Sequence, residues 1–152
     1  MAASMRDSLF SSRNSDAAPR VLLLVLVAST SSCNIAQHVT QQFNEATAAV
    51  ERFHQRLDSE QYAAIYLDTD AIFRKATSEK EFTQLLSPIH RKLGATQSKQ
   101  STGWNVTTSS TTVVYRTKFA EAEATEQFRW RMDNGKAWLV YYNINSNALI
   151  VK

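Results

Sequence analysis

The residues able to do acid–base chemistry in this sequence are few and scattered. Histidines occur only at positions 38, 54 and 90. His54 follows Val50 by four residues and His90 follows Leu86 by four, so each lies beside the apolar side of a predicted helix, at the rim of any pocket beneath it. A boundary histidine is typical of a structural residue. We therefore assign no catalytic residue.

The spacings that metals and cofactors require are missing. No two histidines have a metal-ligand spacing, and Cys33 is the only cysteine. The three glycines, at positions 94, 103 and 135, form no phosphate-binding loop. Asp58, Asp68 and Asp70 are typical of caps and turns, because no calcium-type loop surrounds them. We expect neither a metal nor a cofactor.

The segment Thr112–Ser146 predicts three antiparallel strands, with a weaker candidate strand at Trp104–Thr108. Asp133-Asn134-Gly135 is typical of a tight hairpin turn. Alternation places no Asp, Glu or His on the inner face, so that face is expected to lack an ionisable group for catalysis. The residues predicted to face inward are Val113, Tyr115, Thr117, Phe119, Phe128, Trp130, Met132, Trp138, Val140, Tyr142 and Ile144.

The opposite face of the predicted sheet collects cations. Neighbouring strands place side chains about 5 Å apart, so these cations repel one another unless something compensates them. Three carboxylates are expected to do so from nearby, namely Glu121, Glu123 and Glu126. A solvated charged face, a protein interface and a contact with anionic lipid or lipopolysaccharide all fit this pattern. The residues of the predicted interface are Arg116, Lys118, Arg129, Arg131 and Tyr141.

Helices are predicted ahead of the sheet. Apolar residues recur at helical spacing along a long first helix, at Val39, Phe43, Ala46, Val50, Phe53 and Leu57. A short second helix follows, with Tyr62, Ile65 and Tyr66 on one side. Ser78 and Glu81 predict a capping box on the third helix, which should end at Gly94. Pro88 within that helix predicts a bend or break near Ser87.

Length and charge exclude some classes of protein. A chain of 152 residues is one domain in size. Its net charge of +3, from 17 Lys and Arg against 14 Asp and Glu, lacks the clustered excess of nucleic-acid binders. We therefore expect no nucleic-acid partner.

The N-terminal segment resembles a bacterial lipoprotein signal. Arg20 precedes the apolar run Val21–Ala28, which is too short to span a bilayer and is followed by small residues and Cys33. This predicts a signal segment at 1–33 with lipidation of Cys33, a short tether at 34–38 and a single domain at 39–152. Ordinary signal-peptide secretion, giving a periplasmic protein, and a non-exported chain are the alternatives. Asn34 after the cysteine favours the outer membrane.

A series of short motifs runs through the domain, at Tyr62-Ala63-Ala64-Ile65-Tyr66, Phe73-Arg74-Lys75, Phe82, Leu93-Gly94, Tyr115–Phe119, Glu126 and Trp138–Tyr142. This series resembles that of the small bacterial NTF2-like proteins of unknown function. The resemblance implies an α+β cone in which N-terminal helices pack on a curved antiparallel sheet of three to four strands, with a sheet face that commonly forms dimers. In such a cone the pocket-lining residues would be His54, Tyr62, Tyr66, Tyr115, Trp130, Trp138 and Tyr142.

Two functional hypotheses follow. The first is a non-catalytic lipoprotein of the cell envelope that acts as a binding or assembly module, through its sheet face or the cone interior. Its expected partners are a second copy of the chain, an envelope protein or a small apolar ligand, with the membrane reached through the lipid anchor. The alternative is a ligand-binding protein or an isomerase- or dehydratase-like enzyme that uses the cone as a pocket.

Overall fold

A computed structural model describes the backbone of residues 31–150 and the side chains of residues 35–150. The predictions for the signal segment and for the Cys33 side chain therefore lie outside the described residues. Helices come first and the sheet second, which confirms the α+β class. The elements are α1 Ser31–Asp58, α2 Tyr62–Leu67, α3 Ala71–Ala76, α4 Glu79–Leu93, β1 Thr96–Val106, β2 Ser110–Phe119, β3 Glu123–Asp133, β4 Lys136–Asn145 and α5 Asn147–Ile150.

Helix α1 is longer than its apolar stripe predicted. It begins at Ser31, so residues 34–38, expected to form a tether, belong to the helix. The later stripe residues Ala46, Val50, Phe53 and Leu57 are buried against the sheet, as predicted. Within residues 31–150, no helix is long and apolar enough to cross a bilayer.

Helix α4 has the predicted ends. The Ser78 hydroxyl accepts a hydrogen bond from the Glu81 N–H while the Glu81 carboxylate accepts one from the Ser78 N–H, so the capping box is confirmed. Gly94 follows the last turn with φ +75°. The helix continues through Pro88, so the expected break is wrong. Its buried face, which includes Leu86 and Ile89, holds the helix together across the missing hydrogen bond.

The sheet is open, with four antiparallel strands in the order β1-β2-β3-β4. Strand β1 is longer than the weak candidate at Trp104–Thr108. Strand β2 buries the residues that alternation assigned to the inner face, including Val113 and Tyr115, and exposes Arg116 and Lys118. Within residues 31–150 the helices cover the inner face only, and no other described element packs on the outer face.

Strand β4 departs from simple alternation. Arg129 pairs with Tyr141 but Trp130 pairs with Leu139, so Val140 is an extra residue, a β-bulge. Beyond the bulge the strand's faces are exchanged: Leu139 is 1% exposed, whereas Trp138 is only partly buried and lies opposite Arg131. The predictions that Trp138 and Val140 face inward are therefore wrong, and Leu139 points to the core instead, because an inserted residue reverses which side chains point to the core.

The segment that follows α2 protects the free edge of β4 at the bulge. The Asp70 N–H donates to the Leu139 carbonyl at 2.8 Å, and the Leu139 N–H donates to the Asp68 carbonyl at 2.9 Å. Thr69 thus forms a parallel bridge with Leu139. These bonds satisfy backbone groups at the edge and place the Asp70 side chain beside the sheet.

Candidate functional site

A polar cluster lies inside the core, between α1 and the sheet. Its centre is Glu126, which is fully buried. His54 Nε2 lies 2.8 Å from Glu126 Oε2, the Thr117 hydroxyl donates to the same oxygen at 2.5 Å, and the Tyr142 hydroxyl donates to Oε1 at 2.8 Å. Four elements, α1, β2, β3 and β4, therefore meet at one carboxylate.

Local geometry explains why these side chains converge. Glu126 lies two residues before Phe128 on β3, so both point to the inner face. Tyr115 and Ile144 are its direct cross-strand partners. Thr117 and Tyr142 are displaced by two residues along those strands, and such diagonal neighbours are close enough for side chains to meet.

The protonation state of the pair follows from its partners. His54 Nδ1 lies 3.0 Å from the Val50 carbonyl, which can only accept, so Nδ1 carries a proton. Burial alone would raise the pKa of Glu126, but the hydrogen bond and charge of His54, with the hydroxyls of Thr117 and Tyr142, lower it overall. Glu126 is therefore a carboxylate whose two oxygens accept the hydrogen bonds of the cluster.

Tyr142 remains neutral beside this pair. Burial is the main cause that raises the pKa of its hydroxyl well above 10, and the negative charge of Glu126 raises it further. The phenol is therefore a hydrogen-bond donor that stabilises the carboxylate, and it cannot serve as a base at neutral pH.

Aromatic rings close the cluster off from solvent. The rings of Phe53, Phe119 and Phe128 lie 5.7, 6.2 and 5.8 Å from the His54 ring. The side chains of His54 and Glu126 are 2% and 0% exposed. Unless the core opens, a substrate cannot reach them.

The cavities do not provide an interior pocket. A cavity of about 10 Å³ adjoins the core, with space for about one water molecule, and is lined by Ala49, Phe53, Arg56, Ile65, Asp68, Trp130 and Leu139. A larger space of about 690 Å³ is a groove between α1 and the β3–β4 turn, lined by Ala36, Gln37, Thr40, Gln41, Asn44, Glu45, Ala48 and Gly135. The small cavity lies between the helices and the inner face of the sheet but is too small for a ligand, and the groove lies outside that interior.

The residues expected to line a pocket are mostly core residues. His54, Tyr115, Trp130 and Tyr142 are buried. Tyr62 and Tyr66 are partly buried against the core. The Tyr66 hydroxyl donates to the Thr77 carbonyl at 3.0 Å, and Trp138 lies on the other side of the sheet. The structure thus brings His54 and Tyr142 together around a residue that was not among the candidates.

Glu126 was not among the candidate site residues predicted from the sequence. The expectation that the inner face holds no acidic residue is wrong, and so is the placement of Glu126 among carboxylates that compensate the outer cations. The alternation that put Phe128 inside also puts Glu126 inside, so the signal was present. Its partner His54, 72 residues away in the chain, is what makes that burial stable.

The outer face of the sheet carries the predicted interface residues. Arg116, Lys118 and Arg129 are exposed, and none of them forms an ion pair with a carboxylate of the described residues. The Arg129 guanidinium lies 5.6 Å from the centre of the Tyr141 ring. Tyr141 itself is 42% exposed. A cation and an aromatic ring therefore lie side by side on an open surface.

Arg131 differs from the other cations of this face. It contacts Asp70 at 2.5 Å and Asp133 at 3.2 Å. Burial would raise the pKa of Asp70, but the Ile72 N–H and Arg131 lower it overall. Asp70 and Asp133 therefore compensate the charge of Arg131. Through Asp70, Arg131 connects β3 to the start of α3.

No group of three His, Cys, Asp or Glu side chains able to hold a metal occurs within the described part of the chain.

Comparison with family models identifies the chain. Residues 48–142 match the family described as protein of unknown function, DUF4019. The chain belongs to the DUF4019 family. None of the curated proteins matches it significantly.

The solved structures include a similar fold. The DUF4019 chain matches the solution structure of a SEC-C motif containing protein from Rhodopseudomonas palustris with a TM-score of 0.51 and 13% identity. The match covers 63% of this chain and 75% of that one. At this identity the likeness concerns the fold alone.

The DUF4019 match contains the whole polar cluster, from His54 on α1 to Tyr142 on β4. It also contains the exposed outer residues Arg116, Lys118 and Arg129. The first half of α1, before residue 48, lies outside the match. The two candidate sites thus belong to the family domain, whereas the start of α1 is an extension of it.

Proposed function

We propose that this DUF4019 protein is a non-catalytic binding or assembly module of the bacterial cell envelope, with an NTF2-like fold and a lipid anchor at Cys33. The observation that carries the proposal is the contrast between the two faces of the sheet. The inner face is covered by helices and holds the His54–Glu126 cluster. The outer face presents Arg116, Lys118 and Arg129, which form no ion pair with a carboxylate of residues 35–150, beside Tyr141. Mixed arginine and tyrosine surfaces suit protein interfaces.

A second copy of the chain is the first partner that this face fits. Along β3 the outward residues run from Glu123 through Thr125 and Gln127 to Arg129 and Arg131. Two sheets stacked antiparallel about Gln127 would place Arg131 over the partner subunit's Glu123 and Arg129 over the partner subunit's Thr125. Like charges then avoid one another, which is the condition for a stable symmetric interface.

The envelope location rests on the sequence. The apolar run Val21–Ala28 followed by Cys33 supports export and lipidation, and Asn34 favours the outer membrane over a free periplasmic protein. An anchored domain meets its partners at raised effective concentration, so a modest surface is sufficient for assembly. Another envelope protein is the second partner that the outer face would accept.

One observation favours the alternative of a ligand-binding or isomerase-like protein. The inner face does hold an ionisable pair, His54 and Glu126, of the kind that acid–base chemistry needs. That function requires an opening of the core that admits a small apolar ligand, because the adjoining cavity is only about 10 Å³.

Site-specific photocrosslinking in the native host tests the proposed function. A benzophenone amino acid replaces Thr125, which is exposed on the outer face, or Gln84, which is exposed on α4 as the control. We expect the Thr125 position to give a covalent dimer or a discrete adduct with an envelope protein, and the Gln84 position to give neither. Equal products from both positions, or none from either, would contradict a docking role for the outer face.

A further inference from the structure

Two segments that meet at one end of the molecule, beside the β3–β4 turn, carry no formal charge. Residues 31–44 of α1 and residues 100–115 of the β1–β2 hairpin contain no Asp, Glu, Lys or Arg, although these residues make up 20% of the chain. The two segments lie together, because the Phe43 and Trp104 rings are 5.3 Å apart and the Gln42 side-chain amide donates to the Thr108 carbonyl at 3.5 Å. The first acidic residue along α1 is Glu45, which is paired with Arg52 at 2.9 Å.

Apolar side chains are exposed at this end. Ile35 is 69% exposed and Trp104 is 58% exposed, while Val39 and Phe43 are partly buried. Ile35, Val39 and Phe43 follow at steps of four, so they share one side of α1. The buried core begins only at Ala46, apart from Gln42. The apolar side of α1 thus continues past the part that the sheet covers.

The position of these residues links them to the membrane. The apolar run Val21–Ala28 ends just before α1 begins at Ser31. At a helical rise of about 1.5 Å per residue, Ile35 lies about 3 Å and Phe43 about 15 Å along the axis from Cys33. With the chain held by lipid on Cys33, this end of the domain is the part nearest the bilayer.

We infer that Ile35, Val39, Phe43 and Trp104 form a membrane-docking patch that inserts into the interfacial region of the bilayer. This inference rests on the membrane anchoring proposed above. The α1 and β1–β2 segments that carry the patch have no formal charge, so they can enter the interface without the cost of desolvating ions of their own. Tryptophan is enriched at that depth, where its ring meets both apolar chains and polar headgroups. The membrane contact ends along α1 at the Glu45–Arg52 ion pair.

Trp104 also reports directly on the contact. The full chain, purified from a bacterial membrane fraction, is mixed with phosphatidylethanolamine–phosphatidylglycerol vesicles whose acyl chains carry bromine, which quenches nearby tryptophan. We expect bromine-dependent quenching in the wild type and in Trp138→Phe, and its loss in Trp104→Phe. Trp138 is a matched control because it is also a partly exposed tryptophan of the sheet but lies on β4, opposite Arg131.

The outcomes separate the two proposals. Flotation with the vesicles and loss of quenching in Trp104→Phe would support the patch. A chain that floats with the vesicles but shows the same quenching in Trp104→Phe as in the wild type, or none in either, would overturn the patch and leave the anchor standing. A chain that does not float at all would overturn both. An Ile35→Asn variant that still floats should show reduced quenching of Trp104, and unchanged quenching would count against the patch.

Discussion

His54 Nε2 lies 2.8 Å from Glu126 Oε2, and the two side chains are 2% and 0% exposed. A carboxylate this deeply buried costs free energy to desolvate, which its contact with His54 and extra hydrogen bonds must offset. Here Thr117 and Tyr142 supply the extra bonds from two other strands. The pair therefore fixes how α1 sits on the sheet, and the first predictions concern its removal.

Glu126→Gln should lower the free energy of unfolding by about 3 to 5 kcal/mol, because it removes one member of a buried, hydrogen-bonded pair and leaves His54 without its carboxylate. Urea denaturation followed by circular dichroism measures the change. The control is the double variant His54→Gln with Glu126→Gln, in which neither member of the pair remains. The double variant should lose less free energy of unfolding than the sum of the losses of the two single variants. Simple additivity of these losses would show that His54 and Glu126 are not coupled.

Stability should fall in acid. The folded state lowers the pKa of Glu126 below its ordinary 4.5 and that of Asp70 below its ordinary 3.8. As pH falls, these carboxylates are protonated in the unfolded chain before they are protonated in the folded protein. Their contribution to the free energy of unfolding is therefore complete above pH 4.5 and is lost progressively as pH drops toward the folded-state pKa values. Denaturation midpoints across this range should drop more steeply for the wild type than for Glu126→Gln. Parallel curves would exclude Glu126 as a source of the acid sensitivity.

Two tryptophans test the bulge in β4. Trp130→Ala should destabilise the protein by about 3 to 5 kcal/mol, since its ring is 2% exposed and stacks on Phe128. Trp138→Ala should cost about 1 kcal/mol or less, because Trp138 is only partly buried and contacts mainly the Lys136 ammonium, 3.9 Å from its ring centre. Thermal denaturation compares the two, and equal losses would place Trp138 in the core and remove the bulge.

Two glycines have the same backbone angle but different surroundings. Gly94 and Gly135 both have φ +75°, so Ala at either position should cost about 1 to 3 kcal/mol in backbone strain. At Gly94 the added Cβ would also lie 2.9 Å from the Ala120 Cβ, whereas at Gly135 nothing lies within 4 Å. Gly94→Ala should therefore lower the melting temperature more than Gly135→Ala, and the reverse order would be inconsistent with this packing at the end of α4.

Alternation predicted strand β2 because each of its residues keeps the period of two, from Val113 to Phe119. The same rule failed in β4, where no glycine or proline marks the extra residue Val140. That bulge is stabilised by the distant segment around Thr69, through bonds that a local pattern cannot contain. The prediction for Glu126 failed for a different reason. Alternation places its side chain on the inner face, but its burial depends on His54 in another element. The sequence patterns did not predict the pairings between elements, whereas local propensity was predictable from them.

Sedimentation velocity of the full chain in detergent tests the outer face as an assembly surface most directly. The double variant Arg116→Glu with Arg129→Glu reverses two exposed cations of that face, and Lys75→Glu with Lys80→Glu makes the same charge change on exposed helical positions. We expect the wild type and the helical variant to associate alike and the outer-face variant to sediment as a monomer with an unchanged melting temperature. Identical profiles for all three would contradict self-association through this face.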